Sequence, residues 1–266
     1  MPEGDTIFRA AQTLHRVLAG HVVVRFKSVL PALTRVDEDH PLAGRTIDSV
    51  SSRGKHLLMQ FSGDLILHTH MRMNGSWHLY RPRDRWRAPA RDMRVLVATD
   101  KAVAVGFNVP VAEFLTARNL LRHKQLAALG PDLLSASFEA AEAVRLLRTR
   151  GGGAIGDALL DQRAIAGIGN VLKAEILFVS GVNPFTRVAD IADADLARVV
   201  GVARDLMAVS ARARHGRHTT RSLDPNAKLW VYGRGGKPCR KCGAPIEARK
   251  TGADARLTYF CPQCQR

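Results

Sequence analysis

The chain has 266 residues, of which 46% are hydrophobic and 24% charged, so it can bury a core and is not a disordered protein. Its 40 Lys and Arg against 24 Asp and Glu leave a formal charge of +16, which indicates an anionic partner. Nucleic acid fits that charge better than an acidic membrane does. Because the sequence has no apolar run of roughly 18 residues and no secretory signal, we expect a cytoplasmic protein with no membrane partner.

The first half of the chain is predicted to be mostly β. Apolar residues at helical spacing over 6–19 predict one initial helix, with Asp5 as its N-cap and Gly20 as its stop. Short β-rich runs follow, separated by Gly, Pro, Asp and Asn in the manner of hairpin turns. The predicted strands are 21–30, 46–51, 56–61, 65–70, 76–80, 93–99 and 102–107. Their spacing predicts an antiparallel sandwich or barrel.

The second half is predicted to be mostly α. From about Val111 onward the apolar period becomes helical, and the clearest predicted helices are 138–148, 154–160, 171–180 and 193–212. The Gly-Pro-Asp segment at 130–134 lies near this change and is the candidate linker. A polar, basic stretch follows residue 214, and a short terminal module contains every cysteine.

The four cysteines form two C-x2-C pairs, Cys239 with Cys242 and Cys261 with Cys264, and 18 residues separate the pairs. Four thiolates at this spacing can close a tetrahedron around Zn²⁺ with no position left for water, so we predict one structural zinc ion. The alternative is four unligated thiols. Leu257, Tyr259 and Phe260 predict one strand of a hairpin between the pairs. Its basic residues predict either a tip that enters a DNA groove or a solvated surface.

Residues 155–170 join a predicted helix to a Gly-x-Gly-Asn turn, and a second helix follows. Gly167 and Gly169 permit close approach of a partner. Backbone amides at the start of the second helix, assisted by Asn170, would suit a phosphate. Ordinary connector chemistry is the alternative interpretation of such a turn.

Pro2 becomes the first residue when the initiator methionine is removed. Its nitrogen is then a secondary amine, which can attack a sugar carbon and leave an iminium cation. Glu3 lies beside it and can shuttle protons. Most Pro-Glu pairs at an amino terminus do no chemistry, and this pair alone does not assign a reaction.

Several separate motifs coincide with one family. Met1-Pro-Glu-Gly, Arg53-Gly-Lys-His-Leu-Leu58, the Leu159-Leu-Asp-Gln motif with its Gly-Ile-Gly-Asn turn, Glu175 and the cysteine finger occur in the order typical of that family. The chain thus resembles the formamidopyrimidine-DNA glycosylase and endonuclease VIII family over essentially its whole length. The resemblance implies an α+β protein. Its parts would be an N-terminal β-sandwich flanked by helices and a C-terminal helix-two-turns-helix domain with a four-cysteine zinc finger.

The resemblance also implies roles for individual residues in base excision repair. The domains would be a catalytic β-sandwich at 1–130, a helix-two-turns-helix domain at 131–232 and the zinc finger at 233–266. Pro2 would be the nucleophile on C1′ and Glu3 the general acid and base. Lys55 and Arg256 would complete the catalytic set, Lys55 by contacting phosphate and assisting at the lesion and Arg256 by gripping the phosphates beside the flipped nucleotide. The other implied residues are Asn170 with Gly167 and Gly169 at a phosphate, Arg72, Met73 and Asn74 in the void-filling loop, and Glu175 as a buried support.

For two of these residues, an ordinary structural role is the alternative to a functional one. Lys55 could be a flexible surface lysine, although its Arg-Gly-Lys-His setting disfavours this. Met73 could equally be a core methionine, because Met also fills irregular gaps in hydrophobic cores.

Departures from the family pattern indicate a branch. Thr6 stands where the family often has an acidic residue, residues 104–109 contain no Arg, and the segment 219–228 is short. The last two features favour the endonuclease VIII branch, of the actinobacterial type, and hence oxidised pyrimidines. Oxidised purines as the main substrate, or a noncatalytic DNA-binding paralogue, are the alternatives. We expect damaged DNA as partner, a monomer at the bacterial nucleoid, and no redox or nucleotide cofactor.

Overall fold

The computed structural model describes residues 2–213, 216–220, 224, 227–252 and 255–266. These residues form two compact units. The first contains Pro2 and Thr6–Ala127, and the second contains Glu3–Asp5 and Ala128–Arg266. Within the described ranges, no helix combines the length and apolarity needed to cross a membrane.

The first unit is a β-sandwich with helices at its edges, as predicted. One antiparallel sheet has the strand order β1-β6-β7-β5 and the other has the order β2-β3-β4-β8. The strands are β1 (Arg25–Ser28), β2 (Ile47–Arg53), β3 (His56–Phe61), β4 (Leu65–His70), β5 (Ser76–Tyr80), β6 (Met93–Ala98), β7 (Val103–Phe107) and β8 (Val111–Leu115). The helices are α1 (Gly4–Leu18), α2 (Pro31–Asp39), α3 (Ala117–Arg122) and α4 (Lys124–Ala127).

Alternating apolar residues of both sheets meet in one core. Leu57, Met59 and Phe61 of β3 and Val95 and Val97 of β6 are all at most 1% exposed and belong to one cluster. Alternate side chains of a strand point to opposite faces of the sheet, so the apolar residues of these strands share one face. The two sheets bury these apolar faces against each other and thus form a sandwich. A smaller cluster covers the outer face of the β1-β6-β7-β5 sheet.

Three predictions about the first half of the chain are wrong. The predicted strand 21–30 is shortened at both ends to β1, and α2 begins soon after it at Pro31, a residue that favours the first turn of a helix. The helical period predicted from Val111 begins later, since β8 pairs with β4 and the Thr116 hydroxyl then caps α3. Asp5 is not an N-cap, because α1 starts at Gly4 and places Asp5 inside its first turn.

The second unit is helical. Its helices are α5 (Ala140–Arg148), α6 (Ile155–Ala158), α7 (Asn170–Ser180) and α8 (Asp193–Arg212). Helix α7 is buried over nearly its whole length and packs against α8, so the core of this unit surrounds it. The candidate linker at 130–134 belongs to this unit, because the Gly130 N–H donates to the Gln162 carbonyl oxygen at 2.9 Å and Leu133 is buried in the core.

A two-stranded hairpin follows near the end of the chain. Strands β9 (Glu247–Thr251) and β10 (Arg256–Phe260) pair antiparallel, which confirms the predicted hairpin between the cysteine pairs. A cluster that includes Phe178, Ile246, Cys239 and Cys261 joins the terminal module to helix α7.

Candidate active site and DNA-binding surface

The Glu3 carboxylate lies at the N-terminus of helix α7 and is fully buried. Its two oxygens accept hydrogen bonds from the backbone N–H groups of Val171 (2.8 Å) and Leu172 (3.1 Å). The first N–H groups of a helix have no partner within the helix, and the helix dipole favours a negative charge there. The protein therefore supplies its own anion at this helix start. The expectation that these two amides are free for a phosphate is wrong.

Two glycine-bearing turns allow this close approach. The Gly4 N–H donates to the Gly167 carbonyl oxygen at 2.9 Å, and a Cβ at Gly4 would lie 2.8 Å from the Gly167 Cα. A Cβ at Gly169 would lie 2.3 Å from the Glu3 carboxyl carbon. Gly167 has a φ of +102°, which side chains disfavour. The glycines of the Pro-Glu-Gly and Gly-x-Gly-Asn motifs are thus required by contact between the two motifs.

Arg217 provides a positive charge for the two acidic residues next to Gly4, Glu3 and Asp5. Its guanidinium donates to the Asp5 carboxylate at 2.5 and 2.9 Å and lies 3.5 Å from a Glu3 oxygen. Burial alone lowers the Arg217 pKa, but the carboxylates of Glu3, Asp5 and Glu175 raise it above its ordinary value. Glu3 and Asp5 are both fully buried, so this fixed cation offsets the cost of burying two negative charges.

Asn170 and Lys173 connect helix α7 to the hairpin that carries Arg256. The Asn170 side-chain amide donates to the Leu257 carbonyl oxygen at 2.9 Å, and its Oδ1 is buried without a hydrogen-bond partner. Lys173 is fully buried and donates to the Thr258 hydroxyl at 2.6 Å. Burial lowers the Lys173 pKa to about 8, although the Asp157 carboxylate opposes this shift. Arg256 is exposed at the start of β10.

Glu175 is buried on the same helix and has several donors. Its carboxylate accepts from the backbone N–H groups of Trp230 (2.7 Å), Val231 (2.9 Å) and Tyr232 (2.9 Å), and from the Thr219 hydroxyl. Four donors satisfy a buried carboxylate, so Glu175 holds the segment that leads into the zinc module.

In the first unit, Lys55 lies at the tip of a two-residue hairpin. Arg53 pairs with His56 across the β2-β3 turn, and Gly54 has a φ of +58°. Glycine with positive φ at the first turn position is typical of a tight hairpin turn. Lys55 is therefore held on a short, defined turn. Its side chain is partly exposed. Pro2 belongs to the same unit and is half-buried.

The loop after β4 projects three side chains from a closed turn. The Gly75 N–H donates to the Met71 carbonyl oxygen at 2.8 Å, and a Cβ at Gly75 would lie 2.6 Å from that oxygen. Arg72, Met73 and Asn74 between them are all exposed, and Met73 is 61% exposed. The core-packing alternative for Met73 is therefore wrong.

The four cysteines converge as a zinc site requires. Their Sγ atoms all lie within 4.8 Å of one another, with Cys239 to Cys264 at 4.0 Å and Cys242 to Cys261 at 3.5 Å. A tetrahedron with Zn–S bonds of about 2.3 Å has S–S edges of about 3.8 Å, so the residues fit the ion. The Ala244 backbone N–H lowers the pKa of the exposed Cys242 thiol to about 7, which favours its thiolate.

A second cluster in the first unit, formed by His68, Glu113 and His123, also brings three ligand atoms within 4.8 Å. Hydrogen bonds account for it: the Glu113 carboxylate lies 2.9 Å from His68 Nδ1 and 3.0 Å from His123 Nε2. Because the Leu126 N–H donates to His123 Nδ1, the proton of a neutral His123 resides on Nε2 and points to Glu113. We interpret this cluster as a hydrogen-bond network.

Sequence reasoning assigned no role to three residues of the site, although one of them, Gln162, ends the Leu159-Leu-Asp-Gln motif. The Gln162 side-chain oxygen accepts from the Gly167 N–H at 3.0 Å, and its amide donates to the carbonyl oxygens of Leu160 and Ile168. Arg217 was hidden in a basic stretch and offered no signal. Lys173 offered one, since it is a lysine within an otherwise apolar helix period.

Three family models match this chain. The formamidopyrimidine-DNA glycosylase N-terminal domain matches residues 1–110, the H2TH domain of the same enzyme matches 129–222, and the zinc finger found in FPG and IleRS matches 236–266. Together these matches span most of the chain.

Similar proteins carry the corresponding names. The probable endonuclease 8 2 of Streptomyces coelicolor is 41% identical over all of this chain and 94% of the relative. Endonuclease 8 2 of Mycobacterium bovis is 40% identical over all of both chains. The DNA-(apurinic or apyrimidinic site) lyase Nei2 of Mycolicibacterium smegmatis is 38% identical over all of this chain and 99% of the relative.

The fold matches solved structures as well. A Lactococcus lactis formamidopyrimidine-DNA glycosylase bound noncovalently to abasic-site DNA has a TM-score of 0.83 at 23% identity, with 99% of each chain covered. A MutM structure with DNA containing carbocyclic 8-oxo-G has a TM-score of 0.84 at 23% identity over all of both chains.

The fold, the zinc finger and these matches define a class of DNA-repair glycosylases. The chain belongs to the formamidopyrimidine-DNA glycosylase and endonuclease VIII family, and its relatives at 38–41% identity carry endonuclease 8 or Nei2 names. It is a bifunctional DNA glycosylase and abasic-site lyase of base excision repair, with one structural zinc ion. These findings confirm the family, the fold class and the enzyme class predicted from the sequence.

Proposed function

We propose that this enzyme removes oxidised pyrimidines from DNA through an imine formed by Pro2. The Pro2 secondary amine attacks C1′ of the damaged nucleotide and loses its proton, while the C1′–N bond to the base breaks and the base leaves with the bonding electrons and takes up a proton. The C1′–O4′ bond then breaks, Glu3 protonates O4′, and the lone pair of the Pro2 nitrogen forms the C1′=N double bond of an iminium cation. The resulting iminium cation acidifies C2′, so a proton leaves C2′ and the 3′ phosphate is eliminated. Removal of Met1 is a condition of this step, and Met1 lies outside the described residues.

The buried carboxylate of Glu3 supports this proposal most directly. It is held by two backbone N–H groups at the start of α7, and in the sequence it directly follows Pro2, which would carry the nucleophile. A fixed carboxylate next to the amine is suited to protonate the sugar-ring oxygen and to shuttle protons during elimination. Glu175 would support the same region by holding the 230–232 segment.

The remaining predicted site residues are assigned to DNA contacts. Lys55 on its turn and Arg256 on β10 would bind the phosphates at the lesion. Asn170 would contribute its second amide N–H to a phosphate, since only one bonds Leu257, and Gly167 and Gly169 would shape that turn. Arg72, Met73 and Asn74 would fill the space that the extruded base leaves, because base extrusion costs a few kcal/mol of stacking.

The segment 104–109 supports pyrimidines over purines. The resemblance places an intruding Arg-Phe-Gly segment there in enzymes that act on oxidised purines. In this chain Ala104, Val105 and Phe107 are at most 1% exposed within or at the end of β7, and the segment contains no Arg. The segment 219–228 lies partly outside the described residues, so only its short length supports this assignment.

The proposed cellular location follows from DNA as the substrate. We propose that the enzyme acts as a monomer in the bacterial cytoplasm at the nucleoid. The domain assignment that accompanies this proposal is catalysis at 1–130, DNA binding at 131–232 and the zinc finger at 233–266.

Borohydride trapping tests the proposal. The purified protein, with intact mass used to check removal of Met1, is incubated with duplexes that contain thymine glycol, 8-oxoguanine or a plain abasic site. We expect trapping on thymine glycol and on the abasic site, and we expect Pro2→Gly to bind DNA but to lose trapping. Trapping on 8-oxoguanine without thymine glycol would move the enzyme to oxidised purines. Full trapping by Pro2→Gly would overturn the nucleophile assignment.

A further inference from the structure

A basic loop connects β5 to β6 in the first unit. Residues 81–91 contain one acidic residue, Asp84, and its carboxylate accepts a hydrogen bond from the Arg81 backbone N–H at 3.0 Å. The loop has five exposed arginines, Arg81, Arg83, Arg85, Arg87 and Arg91. Five positive charges and one negative charge leave +4 on eleven residues. Over the part of the chain that the structure describes, none of these five guanidinium groups has an ion pair with a carboxylate.

The loop is anchored on the sheet. Trp86 packs on the outer face of the β1-β6-β7-β5 sheet, with its ring centroid 5.6 Å from Phe107 and 6.4 Å from Tyr80. The Arg87 backbone N–H donates to the Tyr80 hydroxyl at 3.2 Å. The backbone is therefore fixed while the charged side chains project to solvent. Binding a ligand to these arginines therefore costs less conformational entropy than binding it to a flexible loop, because the backbone is already ordered.

The basic loop begins at the end of β5 that is remote from the Arg72–Asn74 loop. Strand β5 has five residues, and the Arg72–Asn74 loop precedes it while the basic loop follows it. At about 3.3 Å per residue, the basic loop therefore begins about 16 Å along β5 from the Arg72–Asn74 loop. It then crosses the outer face of the sheet to Met93, which pairs with Phe107 at the same end of the sheet as Ser76. The basic loop also covers the outer face of its sheet, away from the sandwich core.

We propose that residues 81–91 form a further nucleic-acid surface, which binds the phosphate backbone in addition to the lesion contacts. Guanidinium groups bind phosphate oxygens through paired hydrogen bonds, and an unpaired arginine cluster is suited to a polyanion. The position of the aromatic residue in the loop favours DNA over an acidic membrane as the partner. Trp86 is turned inward against Phe107, so the loop offers no exposed aromatic anchor for a lipid interface. The surface retains the enzyme on undamaged DNA and goes beyond the proposed lesion specificity.

Salt-dependent binding to an undamaged 30-base-pair duplex tests this surface. The test variant is Arg83→Gln with Arg85→Gln and Arg87→Gln. Its matched control removes the same charge from three exposed arginines on separate elements, Arg16, Arg25 and Arg35, each replaced by Gln. If the three loop arginines contact phosphates, the slope of log K against log salt falls by about 2 to 3 and affinity at 0.1 M salt falls at least about tenfold. The control should change the slope by less than about 1.

Two results would overturn the proposal. Equal slopes in the test and control variants would show that only total charge matters. Loss of binding to phosphatidylserine vesicles with unchanged DNA binding would assign the loop to a membrane. Equal zinc content and equal thermal midpoints establish that both variants are folded. Imine trapping by the unmodified protein reports on the proposed function separately, so either can fail alone.

Discussion

At the residue scale, Gly169 decides whether Glu3 can reach helix α7. A Cβ at this position would lie 2.3 to 2.4 Å from three atoms of the Glu3 side chain. We therefore expect Gly169→Ala to displace Glu3 from the N–H groups of Val171 and Leu172. Overpacking in a closed site costs about 1 to 3 kcal/mol of stability, and we also expect abasic-site incision to slow at least tenfold. Urea denaturation and single-turnover incision measure the two effects.

The control is Gly152→Ala. No heavy atom lies within 4 Å of a Cβ at Gly152, and its φ is not in the left-handed region. We expect this variant to match the unmodified protein in both measurements. Equal stability and equal incision rates for the two alanine variants would show that the contact between Gly169 and Glu3 is unimportant.

At the element scale, Lys173 joins helix α7 to strand β10, and its burial makes stability depend on pH. Its pKa is lowered from 10.5 to about 8 in the folded protein, so between these values the unfolded chain holds a proton that the folded chain has released. The free energy of unfolding therefore rises with pH in this window, by at most about 1.4 kcal/mol per pH unit. Below pH 8 both states are protonated and the full cost of burial is present.

Lys173→Met removes this titration. We expect the stability difference between Lys173→Met and the unmodified protein to shift by about 1 to 2 kcal/mol in favour of the unmodified protein between pH 8 and 9.5. Urea denaturation of the zinc-loaded proteins at both pH values measures it. Lys250→Met, at an exposed lysine of β9, is the control and should give a difference that does not change with pH. A constant difference for Lys173→Met would show that Lys173 is not desolvated.

Elements with a regular period could be predicted from the sequence, whereas elements defined by a single boundary residue could not. Strands β3, β4 and β5 and helix α8 match their predicted ranges because their apolar residues repeat without interruption. Helix α2 was missed although Pro31 marks its start. The apolar period predicts a helix where β8 lies, because only the Thr116 cap separates this strand from α3. Contacts such as Arg217 with Asp5 join residues 212 positions apart, and no local pattern encodes them.

At the scale of the whole molecule, the zinc ion stabilises only part of the chain. Cys239 and Cys261 are buried with Phe178 and Ile246 in a cluster of the second unit, while the sandwich core of the first unit contains no metal ligand among its clustered residues. Structural zinc sites supply folding free energy to the module that they close. Loss of zinc should therefore loosen the terminal module and leave the sandwich intact.

Cys242→Ser tests this division. We expect zinc content to fall from one ion per chain to near zero, and DNA binding to weaken because the hairpin that carries Arg256 loses its support. Hydrogen exchange followed by mass spectrometry should show faster exchange in 236–266 and unchanged exchange in β3, β4 and β7. Ser135→Ala, at a partly exposed serine outside the zinc module, is the control with no expected change in zinc. Retained zinc would contradict the four-cysteine site, and faster exchange throughout the sandwich would contradict the independence of the two cores.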